Sequence, residues 1–147
     1  MNGDRTLQLS SCKFLNITNS IFSNYVFSEN EHYKTHESDW VMGAFMMINT
    51  NFYNDVGGLN ESYFMYSEDT ELCYKVKKSG GKVIFYSEAE IVHLYNQSGK
   101  NKFNKKRDKV VTESTIKFVR ENYRGIEKYG VILIQKSRCL LKQIIKR

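Results

Sequence analysis

The residues best set for chemistry in this sequence are Ser67-Glu68-Asp69. Two adjacent carboxylates open a segment in which Leu72 and Val76 lie four apart, the spacing of one helix face. At a helix start such acids have two readings. They satisfy unpaired N–H groups and the dipole as a cap. Alternatively Ser67 is the N-cap, and the acids point elsewhere to take a proton from a reacting group. His93 is the second candidate, at the end of the apolar run Ile91-Val92-His93-Leu94. It reads either as a hydrogen-bonded strand residue or as a metal ligand. His32 and His36 have the i, i+4 spacing of a helical metal pair, but no Cys or acid cluster supports them. Cys12, Cys73 and Cys139 are odd in number and form no CxxC pair, which excludes a zinc knuckle or disulfide framework and points to free thiols in a reducing cytoplasm.

The elements that position these residues follow from periodicity and turn chemistry. Residues 1–38 read as a loop-rich opening segment with one short helix around Thr18 to Phe27. The run from Trp40 to Ile48 is apolar enough for a buried strand, broken near Gly43. A short helix starts near Asn49, and Val56-Gly57-Gly58-Leu59-Asn60 is a turn. A helix over 70–79 is capped by Gly80-Gly81, with Lys75, Lys77 and Lys78 in its last turn. Strands are expected at 82–86 and 91–94, and another helix at 109–123.

From Val131 onward the tail fits an amphipathic helix. Leu133, Ile134, Leu140, Leu141, Ile144 and Ile145 cluster on one side and Gln135, Lys142 and Lys146 lie opposite. That pattern fits two surroundings equally: an anionic membrane surface, or another part of the protein. Thus 39–123 is expected as the catalytic part and 124–147 as a basic tail helix.

With 147 residues, 41% of them hydrophobic and 26% charged, the chain can fold around a modest core rather than remain disordered. The net charge of +6 is uneven. Lys100, Lys102, Lys105, Lys106, Arg107 and Lys109 form a basic stretch, whereas 54–71 is acidic. No RNA- or DNA-binding motif accompanies the basic stretch, so nucleic acid is not expected as a partner. The first residues lack the apolar run of a signal peptide, and no run of about 18 apolar residues exists to span a membrane.

Five ordered blocks carry a family resemblance: Asp39-Trp40-Val41-Met42-Gly43-Ala44-Phe45-Met46, Val56-Gly57-Gly58-Leu59-Asn60-Glu61, Phe64 to Cys73 around Glu68-Asp69, Gly80-Gly81-Lys82-Val83, and Val92-His93. Together they resemble the C-terminal half of family 2 glycosyltransferases, an α/β enzyme class of the GT-A fold, and within it the rhamnosyltransferase type of bacterial surface polysaccharide assembly. The resemblance covers about residues 2–123. It implies Asp69 as the general base on the acceptor hydroxyl and Glu68 as its support. It places Trp40, Gly43 and Ala44 along the donor sugar and makes His93 a metal ligand. It further implies a nucleotide-diphosphate sugar as donor, a glycan or lipid-linked acceptor, and a site on the inner face of the plasma membrane.

The departure from that pattern is equally specific. There is no Asp-x-Asp motif and no Gly-rich phosphate loop. The nucleotide-binding half is therefore expected on another segment or chain, and a divalent cation, Mg or Mn, only when that half is supplied. The chain is expected to be inactive alone; the alternative expectation is a non-catalytic, membrane-peripheral interaction module derived from such an enzyme.

Overall fold

In the computed structural model, residues 1–94 and 104–145 are described; Lys100, Lys102, Lys146 and Arg147 and the side chains of Lys105, Lys106 and Ile145 lie outside them. Short strands and helices alternate up to residue 85, and two longer helices follow. In chain order they are β1 (Ser11–Cys12), α1 (Ile17–Phe22), α2 (Glu29–His32), β2 (His36–Ser38), β3 (Trp40–Val41), α3 (Thr50–Asp55), α4 (Glu68–Lys78), β4 (Val83–Phe85), α5 (Asn104–Asn122) and α6 (Gly125–Ile145). The strands form two antiparallel pairs, β1 with β3 and β2 with β4. Register sets Cys12 opposite Trp40 and Glu37 opposite Ile84.

The opening 38 residues are therefore less loop-like than their composition predicts, supplying one strand to each pair. Buried polar groups join these strands. His32 Nε2 accepts from the Ser10 and Ser11 N–H groups at 3.0 and 3.1 Å, and His32 Nδ1 lies 2.9 Å from the Ser28 carbonyl. The Ser11 hydroxyl reaches both His36 Nε2 at 2.8 Å and Ser38 Oγ at 2.9 Å. Both rings of the His32/His36 pair are thus used to satisfy backbone and hydroxyl groups, which explains their spacing without a metal.

α4 is the hub. Cys73 and Val76 pack with Val83 and, around them, Trp40, Met46, Ile48 and Phe52. Tyr74, one residue on from Cys73, faces a second cluster of Tyr63, Phe118, Val119 and Val131. There Tyr74 meets Phe14 edge-on at 5.3 Å and Phe118 at 5.6 Å, a geometry that aromatic quadrupoles favour. The C-terminus of α4 closes as expected from Gly80-Gly81. Gly80 is left-handed at φ +81°, and Gly81 N–H donates to the Val76 carbonyl at 3.0 Å while Gly80 N–H donates to Lys77 at 3.1 Å.

One expected strand is cut short and another is not formed. The apolar run 40–48 is extended only over Trp40–Val41, because β1 offers just two residues to pair with. Beyond it the chain turns at Gly43-Ala44, and Met46 and Ile48 reach the core from irregular backbone. Residues 91–94 form no strand. They are held by the chain start, with the Met1 amino group donating to the Ile91 carbonyl and His93 N–H to the Met1 carbonyl, both at 2.9 Å. The helical tail begins at Gly125 rather than Val131, and the preceding helix reaches back to Asn104.

Candidate active site

The Ser67 corner is built by strain and by long-range clamps. Tyr66 and Ser67 are both left-handed, at φ +68° and +67°, which costs roughly 1–2 kcal/mol each for residues with a Cβ. The surrounding aromatic segment is held against α5. Ser114 Oγ donates to the Met65 carbonyl at 2.7 Å, Tyr63 OH to Glu121 Oε2 at 2.9 Å, and Lys117 Nζ to the Ser62 carbonyl at 2.6 Å. Lys117 also lies 4.4 Å above the Tyr63 ring. The kink delivers Glu68 and Asp69 as the first two residues of α4.

Asp69 makes both a local helix-start contact and a long-range one. Its Oδ1 accepts from Thr70 N–H at 2.7 Å, a local helix-start contact. Its Oδ2 accepts from Gly43 N–H at 2.9 Å, across 26 residues of sequence. Ser67, though at the N-cap position, makes no side-chain cap bond. A Cβ on residue 43 would sit 3.2 Å from Asp69 Cβ and 3.5 Å from Oδ2. The small residue at 43 therefore gives the Asp69 carboxylate its seat. Oδ1 also accepts from the Thr70 hydroxyl at 3.3 Å, so Oδ2 is the oxygen with a further lone pair for a substrate hydroxyl.

Glu68 is placed differently. Its Oε2 is buried with no hydrogen-bond partner among the described residues. Burial pushes its carboxyl above the ordinary range, opposed by a hydrogen bond from its own backbone and aided, less strongly, by the neighbouring Asp69 charge. The thiols behind the corner are unreactive. Burial raises Cys12 to about 12 and Cys73 to about 11, with the Asp69 charge adding in the same direction.

Glu68 and Asp69 open into a cleft of about 1280 Å³, which Trp40, Gly43, Ala44 and His93 also line. All six residues singled out in the sequence thus share one cavity. Trp40 is fixed there by its indole N–H, which donates to the Lys13 carbonyl at 3.2 Å. His93 Nδ1 lies 2.9 Å from Gln8 Oε1, which places its proton on Nδ1. The opposite wall comes from α5 and α6 through Arg107, Thr112, Gln135, Arg138 and Lys142. Sequence reasoning gave Arg107 to a basic loop and the last three to a tail helix; no spacing rule connects them to Asp69. Among the described residues no three His, Cys, Asp or Glu side chains converge to hold a metal ion, so these residues alone do not fit a divalent cation.

Residues 23–97, half of the chain and the stretch carrying all six candidate residues, match the family model for the N-terminal domain of galactosyltransferase. The chain belongs to this glycosyltransferase family. Among its relatives is the rhamnosyltransferase WbbL of Escherichia coli K12, 28% identical over 67 residues, which cover 46% of this chain and 25% of that protein. The N-acetylglucosaminyl-diphospho-decaprenol L-rhamnosyltransferase of Mycobacterium tuberculosis is 33% identical over 54 residues, covering 37% of this chain and 18% of the relative. The low-salt glycan biosynthesis hexosyltransferase Agl10 of Haloferax volcanii is 42% identical over 40 residues, 27% of this chain and 13% of that protein. This glycosyltransferase chain therefore spans a quarter or less of the length of each of these relatives. No solved structure matches it.

Proposed function

We propose that this chain is the acceptor-side part of an inverting, family 2, GT-A glycosyltransferase that moves a sugar from a nucleotide-diphosphate sugar to a polysaccharide or lipid-linked acceptor. The observation that carries the proposal is the Asp69 carboxylate, seated by the Gly43 N–H at 2.9 Å in the cleft. In this reading an acceptor hydroxyl binds beside Asp69. Asp69 takes its proton as the oxygen attacks the anomeric carbon, and the bond to the nucleotide diphosphate breaks on the opposite face. The new C–O bond forms with inverted configuration, and the diphosphate leaves with the electron pair. Glu68, with a buried oxygen still unpartnered, orients the acceptor beside the base. Trp40, Gly43 and Ala44 border the donor sugar.

The nucleotide-binding half belongs to a segment outside these residues or to another chain. Lacking an Asp-x-Asp motif, this chain is inactive without it. A divalent cation, Mg or Mn, enters the reading only with ligands from that half, His93 being this chain's contribution. The three free thiols, two of them buried, support a cytoplasmic setting, with the acceptor at the inner face of the plasma membrane.

The test is sugar transfer from labelled nucleotide-diphosphate sugars to lipid-linked and polysaccharide acceptors. It is run on the chain alone and together with the polypeptide encoded immediately upstream. Asp69→Asn is expected to lower transfer by about 10²–10⁴-fold with little change in acceptor binding. The proposal falls if no combination transfers sugar or binds a nucleotide diphosphate, or if Asp69→Asn transfers as well as the native chain.

A further inference from the structure

α6 buries Val131 and packs Ile132 on the core but leaves most of its apolar stripe outward. A surface helix ordinarily buries its apolar stripe and shows its polar one. Here the inward stripe runs Val131, Gln135, Arg138, Lys142, spaced four, three and four apart. Val131 is fully buried, and the other three line the cleft. The outward stripe runs Ile126, Tyr129, Leu133, Leu140 and Ile144, which are 60–82% exposed. α1 packs beside α6, with Ile17 N–H donating to Glu127 Oε1 at 2.8 Å, and its last two residues, Ile21 and Phe22, are also exposed. Seven large apolar side chains on two adjacent helices thus face away from the protein.

Charge says what covers them. On the outward face Lys136 stands with no acid beside it: Glu127, the one acid of residues 124–145, accepts from Ile17 N–H, while Arg138 and Lys142 line the cleft. Lys136 sits within the outward stripe, between Leu133 and Leu140, with a stem long enough to lie on apolar material while its ammonium reaches a polar layer. A second copy of the chain docked through the same stripe would set Lys136 against its own counterpart with no acid to offset it. The helix is also not long and apolar enough to cross a membrane.

We propose that the outward face of α6, with Ile21 and Phe22 of α1, docks on the surface of an anionic lipid bilayer. The apolar stripe sinks to the level of the acyl boundary, and Lys136 meets the phosphate head groups. The polar stripe of the same helix forms one wall of the cleft, so docking holds the Glu68–Asp69 corner above the lipid. The inference does not depend on catalytic activity, and its test reads binding alone.

The experiment is co-sedimentation of the whole chain with vesicles of phosphatidylcholine, and of phosphatidylcholine with about one-third phosphatidylglycerol. Binding is expected to the anionic vesicles, to weaken with added salt, and to be slight on the neutral ones. Leu133→Glu with Leu140→Glu should lower the partition constant by at least about tenfold with an unchanged circular dichroism spectrum. Lys136→Glu, which leaves the apolar stripe intact, should lower it several-fold on anionic vesicles only. No binding, equal binding to both compositions, or indifference to both variants would overturn the inference. So would a chain that sediments as a dimer and becomes a monomer with the double glutamate variant.

Discussion

The two ends of the cleft use helices in opposite ways. At the start of α4, polar groups are turned inward and locked: Asp69 is bound at both oxygens, and the Tyr63–Tyr66 segment beside it is tied to α5. Along α6 the polar stripe also faces inward, but the apolar stripe is left without a protein partner among the described residues. On the proposed reading, the acid pair works by geometry and tolerates little displacement, whereas the docking face works by area and charge and tolerates much. Substitutions should therefore act on activity at the first region and on partition at the second.

The largest effect should come from Asp69→Asn, as set out above. Gly43→Ala should follow. Its Cβ would lie 3.2 Å from Asp69 Cβ and must push the carboxylate aside, so transfer by the complemented enzyme should fall by about tenfold to a hundredfold. A transfer rate within about twofold of native would show that the Gly43 seat does not set the base.

Gly130→Val probes where the two regions are joined. A Cβ there would meet Ile17 Cδ1 at 2.6 Å and force α1 off α6, costing about 1–3 kcal/mol in denaturant unfolding. Ile17→Ala in the same chain should restore part of that loss. On the outer face, Leu140→Glu alone should change stability by less than about 0.5 kcal/mol while lowering anionic vesicle binding. A stability loss like that of Gly130→Val would mean that the stripe is covered by protein.

The smallest effect concerns pH. Glu68 is held above the ordinary carboxylate range, so the fold favours its neutral form. Its contribution to stability is full below the unfolded value and is lost as pH rises through the raised one. Glu68→Gln keeps the side chain neutral and should raise stability at neutral pH by less than about 1 kcal/mol, since the group is partly solvated. Thermal unfolding across pH 4–7 should show a flatter profile for the variant; an unchanged profile would argue against burial of a charge at Glu68.

Much of the local structure was legible in the residues. The helix around Leu72 and Val76 and its Gly80 stop rest on spacing and on a left-handed glycine, both local properties. The same holds for the turn at Gly57-Gly58 and for the amphipathic tail. The strands were less legible. The apolar content of 40–48 indicates burial but not what buries it, and with only Ser11–Cys12 as partner the extended segment ends at Val41. His32 and His36 looked like a ligand pair because spacing does not reveal that Ser10, Ser11 and Ser28 supply their partners.

By itself the sequence determined that Glu68 and Asp69 open a helix and that the tail has an apolar and a cationic side, and the family resemblance grouped Trp40, Gly43, Ala44 and His93 with the acid pair. Only the tertiary structure decided that the Gly43 N–H seats Asp69, that Arg107, Arg138 and Lys142 stand across the cleft, and that α6 turns its apolar side outward. The reason is physical. Periodicity and capping act over a few residues and are written locally, whereas the contact between residues 43 and 69, and the facing of α6, depend on how separate elements pack around the aromatic cluster of Phe14, Tyr74 and Phe118.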